Sequence, residues 1–461
     1  MGTITDKLNK LAETKSAIKT AIVNKGVAVS DSDTFASYAN KIASISGSSG
    51  LQGIIFVVND GDEVDDIDPN YEYPRILLGG AEVGAYFNNK VITTNAKELN
   101  SFIYPLKLDN RYSWSATTCR GNLTINDNLC EKANHLFSQV YEYTIKDKLN
   151  ITLNLGDKVI DLNNCFYYGK NIESITVNST SANITDISYM FYGCGNLKEL
   201  NLNINTSKCT NFSNLFSNCF SIVNFPVIDT SSGTIFSYMF DSARFKNQEF
   251  PNWLDTRNGT SFYGMFRSSN IKSIPEDFNT SKGTNFGDFV RETIITEFPS
   301  LDFTNATSIY MMCYGCGSLL RIRELNTVNT TNFDRFLDSC NSLIRIDGIS
   351  LKSLNTTIPY SYLTGYSNMN KLRYALLKDF GTGEKMTDAS FIYWDVWGIE
   401  DETVPLSAGA RQSLVDTFIT YSYDRATAGY STCTVTLHAN TKALLTEDEI
   451  AQITAKGYTL A

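Results

Sequence analysis

The chain has 461 residues, a net charge of −10, and 42% hydrophobic with 12% aromatic side chains, which is the composition of a folded protein long enough for two to four domains. No basic run occurs, so nucleic-acid binding and attachment to an anionic membrane surface are not expected. No stretch reaches the roughly 18 apolar residues that a spanning helix needs, and no basic, apolar leader opens the chain. The expectation is a soluble protein made in a cytoplasm, with no membrane insertion.

In chain order, residues 3–24 are expected to form a helix. Its Ile4, Leu8, Leu11, Ile18 and Ile22 step by four and three, with Lys15 in the gap. That spacing makes a short heptad seam, which packs against copies of itself, as in a trimer, or against a host structure. An amphipathic helix folded on its own domain is the alternative. Gly26 stops this helix, and a second is expected over Thr34–Ile45 before the Ser46–Gly50 linker. The leader resembles a small module at the starts of phage tail and virion proteins. The likeness is carried by Leu11-Ala-Glu-Thr-Lys15, Ile18-Lys-Thr-Ala-Ile22, Phe35-Ala-Ser-Tyr38 and Lys41-Ile42. It implies that residues 1–45 anchor the chain to other virion proteins.

Residues 46–155 read as a β-rich domain, with strands at Gly53–Val58, Ile76–Leu78, Ser101–Tyr104 and Ile151–Leu155. The acidic loop Asp60–Asp68 has oxygens suited to calcium but lacks EF-hand spacing, so a solvated loop is expected.

Residues 156–395 carry a repeat. The segment beginning Thr185-Asp-Ile-Ser-Tyr-Met-Phe returns from Thr210, Thr234, Thr260, Thr284, Thr307 and Thr331, at intervals of 25, 24, 26, 24, 23 and 24 residues. Counting from each threonine, apolar residues fall at +2, +5 and +6. Such spacing suits a short helix or 3₁₀ turn with the threonine as N-cap. A second apolar pair near +12 and +15 reads as one strand per unit, and polar turns such as Asn205-Thr-Ser separate the units. The expected fold class is therefore α+β: a leucine-rich-repeat-like solenoid with an N-terminal helical module and a small β-rich domain. Stacked units share one core. The core positions expected are Phe191, Phe216, Phe240, Phe266, Phe289 and Phe336, with Leu197, Leu200, Ile222, Phe225, Leu343 and Ile346 on the strands.

A column of small residues stands at +9: Cys194, Cys219, Ala243, Ser269, Thr293, Cys316 and Cys340. Cys313 and Cys316 spell Cys-x-x-Cys, but no second pair or histidine completes a zinc site. Buried structural thiols are expected, and no metal or cofactor. The Asp-Thr-Ser turn, the Thr-x-Met-x-x-Met-Phe segment and the Cys-x-x-Leu-x-x-Leu strand resemble the BspA-like branch of the leucine-rich repeats. That resemblance implies a binding or spacer surface, as in bacterial surface adhesins and some phage virion proteins.

Residues 396–461 are expected to cap the solenoid, with a helix near Ala408–Phe418, a strand at Thr432–His438 and a last helix opened by Thr446. The two histidines, His135 and His438, lie in different expected domains with no nucleophile motif beside either. No catalytic residue is assigned. The functional expectation is a non-enzymatic phage virion protein of tail or head fibre type, whose solenoid meets a host surface glycan or protein or acts as a spacer. A bacterial BspA-like adhesin and a glycan depolymerase are the alternatives. If the seam oligomerises the chain, deleting residues 1–45 lowers the mass seen by light scattering; an unchanged mass sinks it.

Overall fold

The computed structural model describes residues 120–134, 136–137, 149–170, 172–222, 224–354, 371–390, 406–437 and 439–461. It also describes the short segments 12–16, 18–20, 22, 29–30, 32, 54–57, 75–78, 86–94 and 103–105. Residues 12–16, 18–20 and 22 are helical, with Ile22 buried and Ile18 half-buried. Ile4, Leu8 and Leu11 lie outside the described residues, as does the acidic loop 60–68.

The chain winds into a parallel β-solenoid of about 12 turns. Strands β1 (Ile54–Val57), β2 (Arg75–Leu78) and β4 (Ile103–Pro105) pair in parallel. A second parallel sheet orders β3 (Tyr86–Thr94), β5 (Arg120–Asp127), β6 (Leu149–Leu155), β7 (Ile172–Ser179) and β8 (Glu199–Asn203). This sheet crosses the boundary expected at residue 155, because β6 pairs with β7 along its whole length. A third orders β12 (Tyr374–Lys378), β11 (Arg345–Ser350), β10 (Arg321–Ile322) and β9 (Glu297–Phe298). Along β5, β6 and β8 alternate residues are buried, as in Leu149, Ile151, Leu153 and Leu155, so one face of these strands feeds the core and the other lies toward solvent.

Opposite the sheets stands a second wall, and here the structure departs from the expected helix. Among the described residues of the repeats, only the 3₁₀ turn Lys246–Gln248 is helical. The +2 to +9 segment is instead a run of tight turns whose amide groups point alternately inward along the chain and across to the next turn. In one unit, Met190, Tyr192 and Cys194 donate to carbonyls three residues back. Between them, Tyr189, Phe191 and Gly193 donate to Ser213, Leu215 and Ser217 of the next unit, at 2.8–3.2 Å. An α-helix keeps every such bond within its own segment. The alternation is obtained by placing residues +4 and +8 in the left-handed region: Tyr189 and Gly193, Asn214 and Asn218, Tyr238 and Ser242, Gly264 and Ser268.

The anchor threonines do not cap helices either. Each of Thr234, Thr260, Thr284, Thr307 and Thr331 gives its backbone N–H and its hydroxyl to the carbonyl of the anchor threonine one turn earlier. The threonine of each Asx-Thr-Ser turn clips the opposite direction. Thr206, Thr230, Thr256 and Thr280 are buried, and their hydroxyls donate 2.6–2.9 Å to Asp229, Asp255, Asn279 and Asp302 of the following turn.

The core runs without a break from Leu123 to Leu460. Phe191, Phe216, Phe240, Phe266, Phe289 and Phe336 are buried, as are Leu197, Leu200, Ile222, Leu343 and Ile346, while Phe225 is partly buried against them. The +6 rings Phe137, Phe166, Phe191, Phe216, Phe240 and Phe266 stack face to face at 5.4–5.9 Å. The +2 rings Phe212, Phe236, Phe262 and Phe286 form a second stack at 5.0–5.8 Å. Offset stacking of this kind adds about 0.5–1.5 kcal/mol per pair beyond burial.

At the C-terminal end, helix α1 (Leu406–Leu414) runs into a wider turn over Val415–Thr420. Strands β13 (Asp388–Ser390), β14 (Cys433–Thr436) and β15 (Tyr458–Leu460) form a small parallel sheet. Helix α2 (Ala439–Lys442) precedes α3 (Glu447–Ala455), which opens on a reciprocal capping box between Thr446 and Glu449. Arg425 is fully buried, and its guanidinium donates to the carbonyls of Gly381, Gly383, Met386 and Ser431 at 2.7–3.0 Å. It ties the loop before β14 to the chain before β13.

The left-handed wall is testable. Ser242 and Ser339 sit at φ 58° and 64°, so Ser242→Gly and Ser339→Gly relieve backbone strain and are expected to hold or raise stability by up to about 1 kcal/mol. A helical segment predicts the opposite, a loss of about 1 kcal/mol for each glycine, and urea denaturation separates the two.

Candidate binding surface

Positions +3, +4, +7 and +8 of each unit stand on the turn wall beside the apolar columns, some half-buried and others, such as Ser217, Asp241 and Asp288, buried. Because every unit repeats its backbone in register, these side chains form columns along the solenoid axis. In two adjacent turns near the start of the repeats, tyrosines take four of these positions. Tyr167 lies parallel to Tyr192 with ring centres 5.1 Å apart, Tyr168 meets both edge-on at 4.7 and 5.0 Å, and Tyr189 packs at 5.8 Å from Tyr192. All four are half-buried. The Tyr168 hydroxyl lies 3.4 Å from that of Tyr192, and this bond, with burial, pushes the Tyr192 phenol above its usual range.

The rings lie down along the wall instead of projecting from it. A Cβ on Gly193 would sit 2.6 Å from the Tyr168 ring, and one on Gly264 would sit 2.4 Å from that of Tyr238. Each glycine is therefore the floor beneath a tyrosine of the preceding turn, and both glycines also take positive φ. The result is a closely packed aromatic cluster whose rings meet at angles from near-parallel to near-perpendicular.

Further along, the same columns become charged. Arg267 forks onto Asp241 at 2.9 and 3.0 Å and lies over the Tyr238 ring at 5.0 Å. Tyr263 donates to Asp288 at 2.8 Å; burial and this bond raise its phenol. Arg291 reaches Asp288 and Glu292 and covers the Tyr314 ring at 4.7 Å. Ser268 donates to Glu292. These acids are each tied to a neighbour, which fixes their positions.

The outer sheet face divides the same way. Over β5–β8 it carries amide ladders, in which Asn150 donates to Asn122, Asn154 to Asn126, Asn178 to Asn154 and Asn203 to Asn178 at 2.7–2.8 Å. Over β9–β12 it carries ion pairs, including Arg321–Asp347, Arg323–Glu297 and Lys378–Glu324. Exposed pairs of this sort contribute little stability.

The cysteines belong to the interior. All nine described are buried. At +9, the thiols of Cys194, Cys219, Cys316 and Cys340 donate to the +6 carbonyl of the preceding turn, on Phe166, Phe191, Val290 and Cys313, at 3.0–3.2 Å. Burial pushes Cys194 up to about 12 and Cys316 up to about 11, and holds Cys219, Cys313 and Cys340 well above the ordinary thiol value. Cys313 and Cys316 thus fill two columns of the wall, and their environment disfavours the thiolate that zinc or redox chemistry requires. The tyrosine columns were not marked from sequence. Their signal was a tyrosine followed one unit later by a glycine at the same position, as at 168 and 193 or 238 and 264.

Residues 160–274 and 186–298 match the family described as "Mycoplasma protein of unknown function, DUF285". The match supports a BspA-like repeat protein. The BspA-like units it covers contain the tyrosine cluster and the first part of the charged columns. No curated protein and no solved structure matches the chain.

The thiol columns set an alkaline limit. A buried thiol raised in the folded state is protonated in both states below about pH 9, so its contribution is complete there. Above that the unfolded chain ionises and the folded one does not, and stability falls as pH rises toward 11–12. The urea midpoint is expected to drop from pH 9 upward, and Cys219→Ala, copying Ala243 in the same column, to flatten that slope.

Proposed function

We propose that this chain is a non-enzymatic presenting protein, whose BspA-like solenoid offers its tyrosine-lined turn wall to a glycan or protein on a host cell surface. The observation that carries this reading is the packed, half-buried cluster of Tyr167, Tyr168, Tyr189 and Tyr192, fixed by in-register turns. Flat aromatic faces with a polar hydroxyl at the edge suit sugar rings, which present apolar C–H faces and polar rims. A rigid wall also avoids the ordering cost that loops incur on binding. The charged columns from Asp241 to Glu292 lie further along the same wall and select for polar substituents.

The finer proposal is a phage virion protein of tail or head fibre type, attached through residues 1–45 and oligomeric through that segment. It is supported by the resemblance of the leader to modules of phage tail and virion proteins. A specific observation favours a second reading, a bacterial BspA-like surface adhesin: the family matched by the repeats is described as a Mycoplasma protein. In both readings the wall does the same work.

Replacing Tyr167 and Tyr192 together by alanine is expected to weaken binding to host cells or to a glycan array about tenfold, the equivalent of about 1.4 kcal/mol. Unchanged binding by a folded variant removes the tyrosine wall from the proposal. Release of reducing ends from host polysaccharide by the unaltered chain would instead make it a depolymerase. Mass spectrometry of purified particles and of washed bacterial surfaces decides between virion and adhesin.

A further inference from the structure

In the sheet β12-β11-β10-β9 the two edge strands are β9, next to which Thr296 donates to Lys272 of the preceding turn, and β12, whose outer edge faces away from the repeats. A parallel edge strand exposes the N–H and C=O groups of alternate residues, and such an edge is a template for another chain. On β12 the inward groups serve β11 and its flanks: Arg373 and Tyr374 donate to Ile344, and Lys378 accepts from Leu351. The outward groups therefore belong to residues 375, 377 and 379.

All three outward amides are occupied, and by no strand. The Ala375 N–H donates 2.9 Å to the Ser413 hydroxyl, which itself donates to the Ala375 carbonyl. The Leu377 N–H donates 3.2 Å to the Thr417 hydroxyl. The Asp379 N–H donates 3.1 Å to the Tyr421 carbonyl. Tyr374 adds a 2.9 Å bond from its hydroxyl to Asp416.

The two spacings match. Four residues of helix advance about 6 Å, and two residues of strand advance about 6.6 Å. A hydroxyl four residues further on therefore meets a strand residue two further on: Ser413 and Thr417 supply the two hydroxyls, and past the wider turn the Tyr421 carbonyl takes the third amide. Ser413 and Thr417 are buried in doing so.

We propose that the segment 406–421 is a lock on the growing end of the solenoid: it stands in for the next turn and keeps β12 from pairing with a second copy of this chain. The contact it prevents is head-to-tail, between the last turn of one copy and an earlier strand edge of another. Such contacts are heterologous and do not close, so they build filaments. Hydroxyls suit a lock because they satisfy the edge without offering an edge of their own. A strand at this place would pass the problem on.

The full-length chain carrying Ser413→Ala and Thr417→Val leaves two edge amides without partners while keeping the helix backbone. The expected result is concentration-dependent association, with a weight-average mass at least twice that of the unaltered chain by sedimentation and unbranched filaments in electron micrographs. Ser413→Thr with Thr417→Ser, which keeps both hydroxyls, is expected to restore the original mass. The buried cysteines report folding throughout, by their resistance to alkylation. A variant with protected thiols and unaltered mass overturns the proposal. So does a variant whose thiols become reactive, because the segment is then part of the fold and not a lock on it.

Discussion

Everything in this chain depends on equivalent residues of successive turns meeting at one fixed register. A +6 phenylalanine stacks on the +6 phenylalanine before it, from Phe137 to Phe266. An anchor threonine donates to an anchor threonine, and a +9 thiol to a +6 carbonyl. Because the partner of each group is a copy of its own surroundings, one favourable contact is repeated at every turn. The same logic makes a slip costly, since shifting one turn by a residue breaks every column at once. Stability is then close to a sum over neighbouring turns.

That periodicity was plain in the sequence, and so was the interior. The threonine spacing located the turns, and the residues named for the core are buried, with Phe225 only partly so. The helix was misread for a physical reason. Apolar residues at +2, +5 and +6 face one way in a short helix, but they do so equally in a chain of tight turns with left-handed corners. The discriminating signal lay at +4 and +8, where Asn214, Asn218, Gly193, Gly264, Gly315, Asp288 and Ser242 stand. Asn, Gly and Asp tolerate positive φ better than other residues, and their recurrence on one phase speaks against a helix. The start of the stacking was harder to see. Asn122 and Asn150, in register on β5 and β6, mark a step of 28 residues, longer than the later units, and the strand β5 carries no threonine anchor of the usual kind.

The wall explains how such a chain accommodates a surface without disturbing its interior. Backbone amides at +4, +6 and +8 are committed to the next turn, while the side chains at +3, +4, +7 and +8 stand beside the apolar columns, half-buried or buried against the neighbouring turns. Tyrosine at 168 and 192, serine at 217 and 242, and arginine at 267 and 291 all occupy wall positions over the same backbone. One restriction is local: where a tyrosine ring leans over the following turn, as Tyr168 and Tyr238 do, a glycine stands beneath it, at 193 and 264. Surface chemistry can therefore change column by column at small cost to the fold.

Repetition solves the middle of the molecule and creates a problem at its end. Each internal turn has two neighbours, so its edge groups are satisfied by construction; a terminal turn has one. A protein stabilised by self-similar stacking carries, at that terminus, a surface complementary to its own units, and the hazard comes from the feature that gives it strength. Sequence periodicity cannot provide the remedy, because any further unit of the same kind reproduces the edge. The end has to be closed by something of different period. Here the chain changes from the two-residue repeat of a strand to the four-residue repeat of a helix over 406–421, and Ser413 and Thr417 meet Ala375 and Leu377 across that change. Beyond it, Arg425 and the Tyr458 hydroxyl bind backbone carbonyls on either side of Gly381, fastening the different-period segment to the last repeated one. The break in pattern at the C-terminus is thus as necessary to the solenoid as the pattern itself.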